Sequence, residues 1–334
     1  MCSAPNLPKL SVLLPVYNAE QYLCECLDSI LKQTFHDFEV IAINDASTDS
    51  SLSILERYAK IDSRIKVFSN ASNMKLPATL NRGIELSSAP LIVRMDADDI
   101  AYPNRLQCQY DFMQSHTDVA VCGTAIKVLG TNNIWAVPES DDAIRAELVF
   151  NSPILHPTVI YKKIIIENNK GYDVNTIYAQ DYELWHRLSK DKKIKFANIN
   201  TPLLLYRLTS SNKSESYHKI QKETAISIRK KQLKLIGAYP TKKQLNIHNM
   251  IASYKEISSL SNLIAVYSWL QYLVKLPQAS QALVDTCWRY WKYICLASQL
   301  KPISYILYFI LLPINKKLAF MKNIFCVFKN KNLM

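Results

Sequence analysis

The sequence of 334 residues contains only five glycines, and this scarcity removes one common way of binding nucleotides. Phosphate-binding loops of the GxGxxG and GxxxxGK types need glycines a few positions apart, so that backbone amides can approach the phosphates. No two glycines here lie closer than seven residues. The sequence therefore contains neither of these phosphate-binding motifs.

The eight cysteines form no CxxC pair and show no regular spacing. Zinc sites use such pairs, and small secreted proteins use regularly arranged cysteines for disulfides. The N-terminus also lacks a basic start followed by an apolar run, so no secretory signal is predicted. These absences indicate a cytosolic protein with reduced thiols.

Long apolar runs are missing as well. The longest, Ile303 to Leu312, has ten residues, about half of the ~20 that an α-helix needs to cross a bilayer. We therefore expect no membrane-spanning helix, while contact with a membrane surface stays open. With 49% hydrophobic and 20% charged residues, the composition is typical of a globular protein.

Acidic residues are scarce in the second half of the chain. Residues 1–160 hold 12 Lys and Arg against 19 Asp and Glu, whereas the rest of the chain holds 28 against 9. The net charge of +12 therefore conceals an acidic part and a basic part, which suit different partners.

Short apolar runs alternate with helical patterns along the first hundred residues. Apolar runs at residues 10–14, 40–44, 65–68 and 91–95 predict four strands, and apolar positions at helical spacing predict a helix in each interval. Strands joined by helical crossovers pair in parallel, and strands this apolar fit a sheet covered on both faces. We predict an α/β fold with a mostly parallel central sheet.

Polar residues follow the predicted strands, at the edge where open α/β sheets bind ligands. Tyr17 follows the first strand, Asp45 the second, and Asp96, Asp98 and Asp99 the fourth. Asp45 fits a turn or helix cap equally well. Three carboxylates within four residues repel one another, however, and a cation usually offsets that repulsion. Since Mg²⁺ and Mn²⁺ bind carboxylates and phosphate oxygens together, the trio predicts a metal-assisted nucleoside diphosphate site.

Three segments resemble the family 2 glycosyltransferases, which have the GT-A nucleotide-sugar fold: SVLLPVYNAEQYLCECLDSILKQTFHDFEVIAINDASTDSS, NRGIELSSAPLIVRMDADDI and AQDYELWHRLS. The resemblance runs from about Lys9 to Arg207. It implies an inverting enzyme that moves a sugar from a UDP-sugar to a saccharide or lipid-linked acceptor, in the synthesis of a bacterial surface polysaccharide or lipooligosaccharide. We accordingly expect a GT-A domain at residues 8–215 and a mainly helical region at residues 216–334.

The resemblance also implies a nucleotide site. Tyr17 packs on the nucleobase, with backbone contacts from Pro15 and Val16. Asp45 accepts a hydrogen bond from the base, which favours uracil because its N3 is a donor. Lys75 is a weaker candidate for contacting the base or phosphate, and a solvated surface lysine is the alternative.

The metal and catalytic residues are implied in the same way. Asp96 meets the ribose or a metal-bound water, Asp98 coordinates Mn²⁺ or Mg²⁺, and Asp99 caps the following turn. Asp181 acts as the general base on the acceptor hydroxyl. Family members usually carry Glu before this Asp, and Gln180 replaces it here, which removes a charge that would raise the pKa of the base.

On the acceptor side, the resemblance suggests contacts from His156 and Trp185. A histidine before proline is more often structural, and Trp185 also fits an apolar helix face that belongs to a core. Residues 131–150 carry Trp135 in a loop of the kind that in relatives often helps to close over the donor.

The chain ends in a basic, aromatic-rich region. From Thr224 onward it holds 16 Lys and Arg against two acidic residues, interleaved with Trp and Tyr. Such a mixture suits an anionic membrane surface or a nucleic acid, and an ordinary helical domain with a solvated basic face is the alternative. The apolar run from Ile303 favours the membrane over nucleic acid. We predict a helical hairpin broken at Pro277 and Pro302, with an arm from about Lys301 on the inner face of the cell membrane.

The spacing of five apolar residues predicts the buried face of one helix in this region: Leu260, Leu263, Ile264, Tyr267 and Leu270.

Two other functions also fit the sequence as a whole. A nucleotidyltransferase needs the same carboxylate-bound ion and α/β sheet, and a membrane-associated or nucleic-acid-binding module could keep the sheet after losing catalysis.

Overall fold

The computed structural model describes residues 7–208 and 215–311 and divides the chain into two compact units, Met1–Leu235 and Ile236–Met334. Each unit has its own buried core. The first unit contains the sheet, and the second is helical wherever it has regular structure in the described residues.

The first unit is built on one sheet of nine strands within the described residues: β1 (Leu10–Val16), β2 (Phe38–Asn44), β3 (Ile65–Ser69), β4 (Leu91–Arg94), β5 (Ile100–Ala101), β6 (Val119–Val128), β7 (Ile134–Trp135), β8 (Ile160–Lys162) and β9 (Lys195–Tyr206). The strand order is β3-β2-β1-β4-β8-β6-β9-β5, with β7 beside β6. β3, β2, β1 and β4 run parallel, as do β6 and β9, while β8 is antiparallel to both of its neighbours. The mostly parallel sheet predicted from the sequence is confirmed, and β1 to β4 are its four predicted strands.

Helices cover both faces of this sheet: α1 (Glu20–Leu31), α2 (Ser51–Ile61), α3 (Lys75–Leu86), α4 (Arg105–Ser115), α5 (Asp141–Leu148), α6 (Lys163–Asn168), α7 (Gln180–Leu188) and α8 (Glu215–Leu235). Side chains of a strand alternate between faces, so Val12 of β1 joins the core cluster that includes α1, whereas Leu13 joins the cluster that includes α3 and α7. At Gly83 of α3 an added Cβ would lie 2.0 Å from the Leu13 side chain, so this glycine permits the close packing of α3 on β1.

The two compact units divide after Leu235, whereas the expected boundary was between residues 215 and 216, so α8 lies in the first unit. Ile228 and Leu233 of α8 are buried. Arg229 is also buried, and its Nε donates a hydrogen bond to the Phe150 carbonyl at 2.6 Å. These contacts reach residues far away in the sequence, so the basic composition of α8 gave no sign of them.

The second unit contains four helices in its described part: α9 (Lys242–Ala252), α10 (Leu260–Val274), α11 (Gln281–Ala297) and α12 (Lys301–Leu311). The helical prediction for this region is confirmed. Pro302 lies in the first turn of α12, where proline is tolerated. The chain therefore breaks just before this proline, between α11 and α12, and not at Pro302 itself. None of the described helices is long and apolar enough to cross a bilayer.

The predicted buried face of α10 is partly wrong. Leu263 and Leu270 are buried, but Leu260 and Ile264 are exposed by 43% and 52%. Apolar residues surround most of α10, so their spacing alone does not define which side packs. Residues 312–334, which make up most of the predicted membrane arm, lie outside the described residues.

Candidate active site

The candidate site lies where β1, β2 and β4 end. Pro15 and Val16 close β1, and Tyr17 follows with 51% of its surface exposed. The Asp45 amide donates to the Val16 carbonyl at 2.8 Å, so the ends of β1 and β2 are held together. The structure thus leaves the Tyr17 ring accessible at the edge of the sheet, next to Asp45.

Asp45 is buried and organises the loop that leads into α3. One carboxylate oxygen accepts from the Asn70 amide at 2.6 Å and from the Met74 backbone N–H at 2.8 Å, and the other accepts from the Lys75 backbone N–H at 3.1 Å. Lys75 adopts a left-handed backbone conformation, with φ of 68°, and its side chain is exposed. Asp45 is therefore a loop-fixing residue whatever else it binds.

Asp96, Asp98 and Asp99 follow β4, and one carboxylate oxygen from each lies within 4.8 Å of the others. Burial, followed by the charge of Asp96, raises the pKa of Asp98 to about 6 and that of Asp99 to about 8. Three clustered oxygen ligands whose negative charges repel suit a hard divalent ion, which would relieve the repulsion. The residues present therefore fit Mn²⁺ or Mg²⁺.

Asp99 does not cap a turn, contrary to the expectation. It is fully buried, and its Oδ1 accepts from the backbone N–H of Arg207 at 2.9 Å. Its Oδ2 is buried and has no hydrogen-bond partner among the described residues. The Arg207 Nε donates to the Asp98 carbonyl at 2.9 Å, so the end of β9 holds the acidic segment in place.

Arg94 is a site residue that the sequence did not reveal. It ends β4, is buried, and forms a two-pronged ion pair with the Asp96 carboxylate, in which Nη1 lies 2.6 Å from Oδ2. Burial acts to lower the pKa of Arg94, but the Asp96 charge outweighs it and raises the pKa above its usual value. A basic residue inside an otherwise apolar strand was the available signal.

A cavity of about 320 Å³ connects the acidic segment with the start of α7. Its polar and charged lining residues include Arg94, Asp96, Ser152, His156, Gln180, Asp181 and Gln221. The cavity therefore brings together residues that lie more than 120 positions apart in the sequence, including the predicted base and one member of the acidic trio.

Asp181 lies in the first turn of α7, where the positive end of the helix dipole favours a carboxylate. The Ser152 hydroxyl donates to its Oδ2 at 3.1 Å. Burial nevertheless raises the pKa of Asp181 above its ordinary value, in the direction that a general base requires. Gln180 is buried beside it and lines the same cavity without adding charge.

The two expected acceptor residues differ in their surroundings. His156 lines the cavity, and its Nε2 lies 2.9 Å from the Tyr172 hydroxyl. Burial and the nearby Arg94 lower the pKa of His156, so the ring is neutral at pH 7. Trp185 has no exposed surface and packs edge-on against His156, with 6.5 Å between ring centroids. Trp185 belongs to a buried core cluster and does not line the cavity, which fits the core alternative.

Comparison with known proteins places this geometry in context. Residues 11–177 match the family described as Glycosyl transferase family 2. An uncharacterized glycosyltransferase of Haemophilus influenzae is 33% identical over 241 residues, covering 68% of this chain and 74% of that protein. The O-antigen biosynthesis glycosyltransferase WbnJ of Escherichia coli is 31% identical over 215 residues, covering 63% and 84%. These matches support a glycosyltransferase over the two alternatives, a nucleotidyltransferase and a binding module that has lost catalysis.

The name of a further relative states its substrates. The UDP-Gal:alpha-D-GlcNAc-diphosphoundecaprenol beta-1,3-galactosyltransferase of Escherichia coli is 35% identical over 187 residues, covering 54% of this chain and 67% of that protein. Among solved structures, Staphylococcus aureus TarS 1-349 in complex with UDP-GlcNAc superposes with a TM-score of 0.54 at 18% identity, covering 86% of this chain and 81% of that one. The structural likeness supports the GT-A fold.

Proposed function

Because this chain belongs to glycosyl transferase family 2, we propose that it transfers a sugar from a UDP-sugar to a saccharide or lipid-linked acceptor during synthesis of a cell-surface polysaccharide. One observation carries the proposal: Asp96 of the acidic trio and Asp181 line the same cavity. The acidic trio can thereby bind the leaving diphosphate at one end of the cavity, while Asp181 at the other end accepts the proton of the acceptor hydroxyl.

The nucleotide end of this proposal uses the residues at the ends of β1 and β2. The exposed Tyr17 ring stacks on uracil, with backbone contacts from Pro15 and Val16. Asp45 already accepts three hydrogen bonds, and a carboxylate has about four acceptor positions, so one remains for the uracil N3–H. The exposed Lys75 side chain is within the same loop and is the candidate for a phosphate contact.

The diphosphate end uses the acidic trio. Asp98 would hold Mn²⁺ or Mg²⁺, and Asp96, kept in orientation by Arg94, would face the ribose or a metal-bound water. When bound, the ion neutralises the negative charge that develops on the departing diphosphate. Asp99, tied to the Arg207 backbone, fixes the segment on which the other two carboxylates lie.

The chemical step is an in-line displacement with Asp181 as general base. Asp181 takes the proton from the acceptor hydroxyl while the oxygen attacks the anomeric carbon, and the bond from that carbon to the diphosphate oxygen breaks on the opposite face. Inversion at the anomeric carbon follows from attack opposite the leaving group. The Ser152 hydrogen bond keeps the Asp181 carboxylate aimed into the cavity.

We also propose that the second unit attaches the enzyme peripherally to an anionic membrane, on the cytoplasmic side, where a lipid-linked acceptor would be presented. Its described helices expose apolar and aromatic side chains, among them Ile264, Tyr293, Leu296 and Ile306. Lysines and arginines outnumber acidic residues in this region, and each one near the headgroups contributes about 1 kcal/mol.

The proposal is tested by measuring UDP release from a panel of nucleotide sugars, with Mn²⁺ and with a chelator. We expect turnover of at least one UDP-sugar only when a divalent ion is present, and loss of transfer but not of nucleotide binding in Asp181→Asn. The stereochemistry of the product, read by NMR, should be inverted. Release of UDP from none of the sugars, or full transfer by Asp181→Asn, would contradict the proposal.

A further inference from the structure

Two aromatic side chains of the first unit meet at the cavity that contains Asp181. Trp135 of β7 and Tyr206 at the end of β9 both line this cavity, with 5.5 Å between ring centroids and 42° between ring planes. Trp135 is 44% exposed, a large apolar area to leave in water. Both residues are held on strands of the sheet, since Trp135 pairs with Ile126 of β6 and Tyr206 with Val128 of the same strand.

The order of the strands places these aromatics on the acceptor side of the site. The proposed nucleotide residues belong to β1 and β2, and the acidic trio follows β4. β8, β6 and β9 come next in the sheet, on the side of β4 away from β2, and β7 pairs with β6. A nucleotide that runs from Tyr17 to Asp98 therefore points its diphosphate towards the strands that carry Trp135 and Tyr206.

The remaining lining of the cavity is mixed in a way that suits a sugar ring. Apolar walls come from Ile126, Ile154 and Leu155, and polar groups come from Ser152 and Gln221. A pyranose has an apolar face of C–H groups and a rim of hydroxyls. Its C–H groups are weakly positive, so they complement the negative face of an aromatic ring, while the rim needs hydrogen-bond partners.

We propose that Trp135 and Tyr206 form a stacking platform for the terminal pyranose of the acceptor, with Gln221 of α8 as a partner for its hydroxyl rim. The inference rests on the proposed function and adds the residues that select the acceptor class. The ring lies on the indole of Trp135, and one of its hydroxyls is thereby directed towards Asp181. The platform positions the acceptor and takes no part in proton transfer.

The test uses the full chain and three variants: Trp135→Ala, Trp135→Phe, and Ile134→Ala as a matched control. Ile134 is the neighbouring residue on β7, is 54% exposed, and does not line the cavity. The probes are methyl pyranosides of glucose, galactose and N-acetylglucosamine, in both anomers, because they carry no aromatic group of their own. Binding is measured by saturation-transfer NMR, with and without UDP and Mn²⁺, and UDP binding is measured separately by calorimetry.

We expect at least one pyranoside to bind the wild-type chain, and Trp135→Ala to weaken that binding about tenfold. Trp135→Phe should keep part of it, Ile134→Ala all of it, and the dissociation constant of UDP should be the same in all four proteins. Unchanged pyranoside binding in Trp135→Ala, or binding of none of the six probes to the wild-type chain, would overturn the platform. Weaker UDP binding in Trp135→Ala with pyranoside binding intact would overturn it too, by moving Trp135 to the donor. Failure of wild-type protein to bind UDP would count against the proposed function alone, since pyranoside binding is also recorded without UDP.

Discussion

Replacing Glu39 by glutamine should destabilise the first unit by about 2 kcal/mol at pH 7. Glu39 is 3% exposed and lies in β2. Its carboxylate accepts from the Ser11 hydroxyl at 2.6 Å, from Lys66 Nζ at 2.6 Å, and from the backbone N–H and hydroxyl of Ser88 at 2.7 and 2.6 Å. It thereby joins β1, β2 and β3 to the segment that precedes β4.

The magnitude follows from the pKa of this carboxyl. Burial acts to raise it, but the hydrogen bonds from Lys66, Ser11 and Ser88 outweigh burial and lower the pKa of Glu39 from 4.5 to about 2. At about 1.4 kcal/mol per pKa unit this shift corresponds to about 3 kcal/mol. The Lys66 side chain is 50% exposed, so solvent screens part of its contribution, and we expect about 2 kcal/mol.

The sign of the pH dependence is fixed by the same shift. A carboxyl whose pKa is lower in the folded than in the unfolded chain stabilises the folded state. The stabilisation is complete at pH values above the pKa in the unfolded chain, and it is lost as the pH falls through the pKa in the folded chain. The difference between wild type and Glu39→Gln should therefore be complete above about pH 5 and should disappear as the pH falls from 4.5 to about 2.

Urea unfolding followed by circular dichroism, repeated between pH 7 and pH 3, measures this difference. Glu85→Gln is the control, since Glu85 is an exposed glutamate on α3 and should change stability little. A Glu39→Gln protein as stable as wild type at pH 7, or a difference that does not shrink in acid, would refute the reasoning.

Three further outcomes are expected. The pKa of Asp181 is raised by burial, so kcat/KM should fall with decreasing pH through a pKa above the usual aspartate range, and a rate independent of pH from 4 to 7 would remove the base assignment. Arg94→Lys keeps the charge but loses the two-pronged pairing with Asp96, so steady-state kinetics should show kcat lowered at least about tenfold. A wild-type kcat would mean that Asp96 does not need this pairing. Deleting residues 301–334 should move the protein from the membrane fraction to the supernatant in a sedimentation assay, whereas an unchanged partition would end the anchoring proposal.

The parts of the site that could be predicted from the sequence are those whose signal is local. β1 to β4 are continuous apolar runs, and Asp96, Asp98 and Asp99 are a run of carboxylates at a strand end. Each of these patterns has a physical meaning within a window of a few residues. The residues nearby in the sequence were therefore enough to predict these strands and the acidic trio.

The parts that could not be predicted depend on contacts between distant segments. Arg207 reaches Asp99 only because β9 pairs with β6 and ends beside the acidic segment, 108 residues from Asp99. Trp135 lines the cavity because β7 pairs with β6 and because Tyr206 of β9, on the other side of β6, lies against it. The burial of Trp185 was decided by the core around it, since an apolar helix face alone does not say whether it meets a core or a pocket. No local pattern carries that information.

The central claim is that the acidic trio holds a divalent ion against the diphosphate of a sugar donor. Isothermal titration of UDP into the wild-type chain and Asp98→Asn, each with and without Mn²⁺, tests it most directly, with the exposed Asp118→Asn as the matched control. We expect Mn²⁺ to strengthen UDP binding at least about tenfold in the wild type and in Asp118→Asn, and to have no such effect in Asp98→Asn. UDP binding of equal strength in all three proteins, whether or not Mn²⁺ is present, would contradict the claim.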